Sequence, residues 1–227
     1  YGSYCMSLKK TLLVTCLLTA SSSIFAAQTA ELRTTGKIVP NSCDVTFANG
    51  GVVDFGEIKV ADMKSDEQNV LPRKYLTWNV ACGGPTAITA TWVDNKAGDG
   101  VPSGSNPNGY LFSLGKDSAG TPIGHLIMHH GAGESVTVTG GVAGAGGTAN
   151  VIRSLDNGAT WVNSGYGEQS SVMPISYSAG TATFMPEPYT TYANNMVFTA
   201  YLTKGEDLVL TDALDFGASA TMQIAYY

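Results

Sequence analysis

Charge is what this chain has least of. Asp, Glu, Lys and Arg make up 13% of its 227 residues, about half the usual share of roughly 25%. Helical bundles need charged outer faces, so the shortage argues against one. The 12 Lys and Arg face 18 Asp and Glu, for a net charge of -6. Nowhere do the basic residues cluster, and phosphate neutralisation requires such clusters, so nucleic acid is excluded as a partner. Helical periodicity is missing over any useful length. No apolar run reaches the ~20 residues that a transmembrane helix needs. Cysteine is sparse, at four, with no Cys-x-x-Cys pair. A Gly-x-Ser-x-Gly elbow is also lacking, and no acid pair stands out for glycoside hydrolysis. The chain is therefore read as a non-enzyme, with no cofactor and no metal.

What is present points the other way. Hydrophobic residues reach 44% and there are 27 glycines. Thr, Ser, Val and Ala fill much of the remainder. Small and β-branched residues with abundant glycine suit strands joined by tight turns.

The first residues read as an address rather than a domain. Lys9-Lys10 precedes an apolar stretch from Thr11 to Leu18, and Ser21-Ser22-Ser23 leads to Ala26-Ala27. That is the layout of a secretory signal peptide, with the cut expected after Ala26 or Ala27. Tyr1 to Cys5 stand ahead of Met6 and read as upstream of the true start. Residues 1–27 are assigned to leader, 28–35 to a short N-terminal extension and 36–227 to one domain. Export implies an oxidising compartment. Once the leader and its Cys5 and Cys16 are set aside, Cys43 and Cys82 remain and have one pairing available.

Alternation of period two runs through the rest. Cys43, Val45 and Phe47 alternate with Asp44, Thr46 and Ala48; Leu76, Trp78, Val80 and Cys82 alternate with Thr77, Asn79 and Ala81. Each pattern marks a strand with one buried face. Both cysteines fall in phase with the apolar set, which places a disulfide between two strands inside a sandwich core. Further strands are expected at 88–93, 110–114, 125–130, 135–139, 172–177, 182–185, 196–203, 208–210 and 219–227. The stretch 151–162 reads as a hairpin turning at Asp156-Asn157-Gly158. The glycine-rich stretch 140–147 and the long stretch 94–108 read as loops. The expected fold is all-β: one β-sandwich with long loops.

Several residues invite chemistry. On one strand His125 and His129 share a face and His130 opposes them, with Glu134 beyond a glycine turn. Asp94, Asp99 and Gly100 lack calcium-loop spacing. Trp92, Trp161 and Tyr166 could offer a sugar-stacking surface, against the plainer reading of core packing.

Two stretches carry a resemblance. Gly36-Lys37-Ile38-Val39-Pro40-Asn41-Ser42-Cys43 resembles the first strand of chaperone–usher pilins, the second cysteine following some forty residues later. The ending from Ala218 to Tyr227 resembles the last pilin strand, which stops at or beside a tyrosine, and Val197 to Tyr201 resembles the strand shortly before it. The segment Thr35 to Ile58, with Asp54-Phe55-Gly56-Glu57-Ile58, is most similar to a fimbrial-like branch of enterobacteria.

The resemblance implies an immunoglobulin-like β-sandwich lacking its final strand and a structural fimbrial subunit serving cell adhesion. Such a subunit passes through the periplasm to the cell surface. A periplasmic chaperone lends the missing strand, an outer-membrane usher receives the complex, and a neighbouring subunit's N-terminal extension replaces the chaperone. On this sequence Met222, Ile224 and Tyr226 would line the groove, and the Tyr227 carboxylate would meet the chaperone's basic residues. Ala30, Leu32 and Thr34 would form the donor set, of which only Leu32 is a sizeable knob. That departure suits a minor or terminal subunit, or a domain that completes its own fold. A host glycan or surface receptor would be the final partner. The alternative reading is a monomeric exported carbohydrate-binding or adhesive β-sandwich.

Overall fold

The computed structural model describes residues 31–37, 41–131, 135–165 and 167–227. The expected leader, Ala30, Glu134 and Tyr166 lie outside the described residues. Residues 31–37 are all exposed, and the unit Val39–Tyr227 carries the rest.

Among the described residues the regular structure is strands and short 3-10 turns. In chain order the strands are β1 (Cys43–Phe47), β2 (Asn69–Val70), β3 (Lys74–Thr86), β4 (Ile88–Asp94), β5 (Phe112–Ser113) and β6 (Gly124–His130). They continue with β7 (Ser135–Thr139), β8 (Gly147–Arg153), β9 (Val162–Asn163), β10 (Ile175–Ser178), β11 (Tyr189–Leu202) and β12 (Ala220–Tyr226). Every pairing is antiparallel. The main path runs β1-β3-β11-β7-β8-β10-β4-β12, with β6 and β2 also on β11, β5 on β6 and β9 on β8.

The sheet curls so that two walls face each other. Trp78 and Val80 of β3 and Tyr192 and Met196 of β11 are buried against Ile88 and Ala90 of β4 and Ile175 and Tyr177 of β10. Ring contacts mark the seam: Trp78 to Tyr177 at 6.0 Å, Tyr177 to Tyr192 at 5.1 Å and Phe47 to Trp92 at 6.0 Å. The all-β sandwich read from composition and alternation is the fold observed.

Local sequence explains most elements. In β3 the inward positions Leu76, Trp78 and Val80 are buried while Tyr75 is 65% exposed. The hairpin at Asp156 forms as its turn chemistry dictates. Asn157 and Gly158 take φ of 59° and 97°, and the Asp156 carboxylate accepts from the Thr160 N–H and hydroxyl. Behind the turn β8 pairs with β9.

Three expectations change. The disulfide Cys43–Cys82 forms, but it joins directly opposed residues of neighbouring strands β1 and β3. It sits half-buried near the edge of one sheet, not across the centre of the core. Residues 182–185 and 208–210 form no strand; each carries apolar residues but finds no open ladder. In the other direction β11 begins at Tyr189, seven residues before the expected start at Met196. Its polar first half is held by β3 on one side and β7 on the other.

Candidate functional site

The curled sheet does not close. Its terminal strands, β1 and β12, each pair on one side only. They meet at one point, where the Cys43 N–H donates to the Tyr226 hydroxyl at 3.1 Å. Beyond it lies an open groove of about 1080 Å³.

Its floor is the core itself: Leu76, Trp92, Leu114, Ile123, Leu126, Met128, Phe198 and Leu202 line it. Protein interiors are normally close-packed and sealed, so a groove reaching this many core side chains is unusual. Two margins outside regular strands flank it, residues 50–60 with Met63 and residues 208–220, the last of which opens β12. Along the first, Val53, Phe55 and Ile58 turn half-buried toward the core while Val52, Asp54 and Glu57 face out. Along the second, Leu214, Phe216, Ala218 and Ala220 do the same. The margins touch through Phe55 and Phe216, whose ring centroids are 6.5 Å apart.

Neither margin belongs to a ladder, and the second is tied down near its ends, where the Val209 N–H donates to Asp117 Oδ2, the Gly217 N–H to the Leu114 carbonyl and the Asn95 N–H to the Ser219 carbonyl. Among the described residues the backbone of 53–58 makes one hydrogen bond, from the Gly56 N–H to Asp54 Oδ1 at 2.7 Å, and that of 210–216 makes none. The ladder on β12 starts only at Ala220, opposite Asp94 of β4. Backbone outside any ladder beside half-buried apolar side chains is an ingredient of an edge that accepts another strand.

Residues 32–135 match the family model described as "Protein of unknown function (DUF1120)". A stretch of 70 residues is 34% identical to "Protein GltF" of Escherichia coli (strain K12), covering 29% of this chain and 28% of that protein. The chain thus spans little more than a quarter of the length of the curated relative it matches. The DUF1120 match takes in β1, the 50–60 margin and the floor residues of β3, β4 and β6; the 208–220 margin and β12 lie beyond it.

The residues singled out from sequence are distributed as follows. Met222 and Ile224 are half-buried against the core on the inward face of β12, just past Ala220 at the groove's end. Tyr226 is 52% exposed and holds the Cys43 amide. Tyr227 sets its ring edge-on to Trp161 at 5.8 Å, and its N–H donates to the Ala87 carbonyl. Leu32 and Thr34 are exposed, Leu32 at 89%.

Of the sugar-stacking candidates, Trp92 and Trp161 are described, and both rings pack into the protein. Trp92 is buried, donates from its indole to Gln169 Oε1 at 2.9 Å and belongs to the groove floor; Trp161 is also buried. The histidines split as alternation requires. His125 stacks on Tyr201 and His129 donates from Nδ1 to the His130 carbonyl, while His130 enters the core. Asp94 spends both oxygens on the Lys96 and Ser113 N–H groups, and Asp99 pairs with Lys116. Among the described residues no group of three acidic, His or Cys side chains is placed to hold a metal.

The margins themselves were missed in the sequence. Their signal was there: Val53 and Phe55, and the run Leu214, Phe216, Ala218, Ala220, continue the alternation of β1 and β12.

Proposed function

We propose that this chain is a structural subunit of a surface fibre, held in assembly by a β-strand that another polypeptide lays into its groove. The observation that carries the reading is the groove: an apolar floor between two margins in which the backbones of 53–58 and 210–216 join no ladder. An inserted strand would pair with those backbones and seal the core with alternate side chains. A periplasmic chaperone would supply the strand first and a neighbouring subunit later, in the manner of chaperone–usher pilins, with the usher and the cell surface as destinations. The half-buried disulfide beside β1 suits passage through an oxidising compartment.

The test is periplasmic expression of residues 28–227, with and without a co-expressed periplasmic pilus chaperone. Soluble protein that appears only with the chaperone, as a one-to-one complex lost on deleting residues 219–227, supports the reading. A stable, soluble monomer with a cooperative melt and no affinity for any strand refutes it.

A further inference from the structure

The groove carries a second kind of information, in its rim. Of the described residues lining it, Asp54, Glu57, Asp212 and Asp215 are acidic and Lys59 is the one cation. All five are exposed, and among the described residues none is in an ion pair. The acids are shared between the margins, two on each: Asp54 and Asp215 alternate with the inward-turned Val53, Phe55, Leu214 and Phe216, while Glu57 is exposed after the break in alternation at Gly56 and Asp212 is exposed just before the run at Leu214 begins.

An occupant strand has the same period of two. If its even residues fill the floor, its odd residues emerge between the two acidic rows. A Glu or Asp there would meet like charge from both sides, whereas Lys or Arg would be drawn in. Such fields act chiefly on association rate and on the choice of partner, by about 10- to 1000-fold in rate when charges line a cleft.

We propose that the groove selects a cationic strand from a different protein: large apolar residues at alternate positions, Lys or Arg between them. This rests on the strand-acceptor reading above and adds the partner's chemistry. A second copy of this chain is a poor occupant. Its segment 28–37, Gln-Thr-Ala-Glu-Leu-Arg-Thr-Thr-Gly-Lys, offers Ala30, Leu32, Thr34 and Gly36 to the floor, and only Leu32 is large. Its outward set mixes Glu31 with Arg33 and Lys37.

The experiment uses the purified full chain and five synthetic peptides of about 12 residues. Three carry Leu, Ile and Val at alternate positions with Lys, Ser or Glu between them. The fourth has the Lys peptide's composition without alternation, and the fifth begins with residues 28–37. Association rate and affinity are measured at low and at about 0.5 M salt, where screening is strong.

The Lys peptide is expected to bind at least about tenfold tighter than the Glu peptide at low salt, with the gap closing at high salt. The variant Asp54→Asn, Glu57→Gln, Asp212→Asn, Asp215→Asn should keep the Ser peptide and lose the Lys preference, which also shows that it is folded. Equal binding of the three alternating peptides overturns the charge selection and leaves the strand-acceptor reading standing. Binding of the fifth peptide as tightly as the Lys peptide overturns the foreign-strand proposal in favour of a second copy. If no alternating peptide outbinds the non-alternating one, the acceptor reading itself falls.

Discussion

Acid should destabilise this fold through His130. The imidazole is 1% exposed. It packs against Trp78 of β3 at 5.6 Å and Tyr177 of β10 at 5.8 Å, and the His130 N–H donates to the Gly167 carbonyl. Neither ring nitrogen has a hydrogen-bond partner among the described residues. Burial, with a smaller contribution from the neighbouring His129, holds the ring's pKa down at about 3, from an ordinary 6.5. The folded chain therefore resists protonation that the unfolded chain accepts. The associated stability is fully present above pH 6.5 and is lost as the pH falls from there toward 3. At pH 5 the loss is about 2 kcal/mol, from a gap of some 1.5 pH units at 1.36 kcal/mol each.

The variant His130→Phe keeps a ring in the slot and removes the proton site. Urea midpoints of both proteins, disulfide intact, should be followed from pH 7.5 to 4.5. Carboxylates held low by hydrogen bonds, such as Asp156 and Asp117, contribute to both proteins and cancel in the difference. The wild type should lose about 2 kcal/mol more than the variant between pH 7 and 5. Parallel pH profiles, or an NMR titration placing His130 near 6.5, would refute the reasoning.

Other consequences can be checked on the same protein. Replacing Cys43 and Cys82 by Ser releases a loop of 39 residues and should cost about 4 kcal/mol in the chain-entropy model, read as a lowered denaturant midpoint. Tyr226→Phe removes the hydroxyl that accepts from the Cys43 amide; a loss of about 1 kcal/mol is expected, with faster hydrogen exchange at Cys43. Gly124→Ala drives a methyl into the Tyr201 carbonyl on β11, where an extra carbon should cost about 1–3 kcal/mol in a thermal melt. Asp156 should remain ionised to about pH 2 in a carboxylate NMR titration, because Thr160 and Ser154 donate to it.

The sequence alone was enough for whatever depends on near neighbours or on one face of one strand. Alternation in 43–47, 76–82 and 220–226 placed β1, the middle of β3 and β12, because a half-buried strand writes its period into its side chains. The Asn157-Gly158 turn and the Cys43–Cys82 pairing followed from backbone freedom and from the two cysteines left when the expected leader is set aside. Alternation does not say whether a strand has a neighbour. Val53 and Phe55, and Leu214 and Phe216, keep the inward phase of β1 and β12, yet these segments join no ladder, because the sheet ends on either side of the gap. The polar start of β11 shows the converse, a segment made strand by partners on both flanks. Which edges meet, and which stay open over the core, was decided by strands far apart in the chain, and that pairing exists only once the sheet has curled.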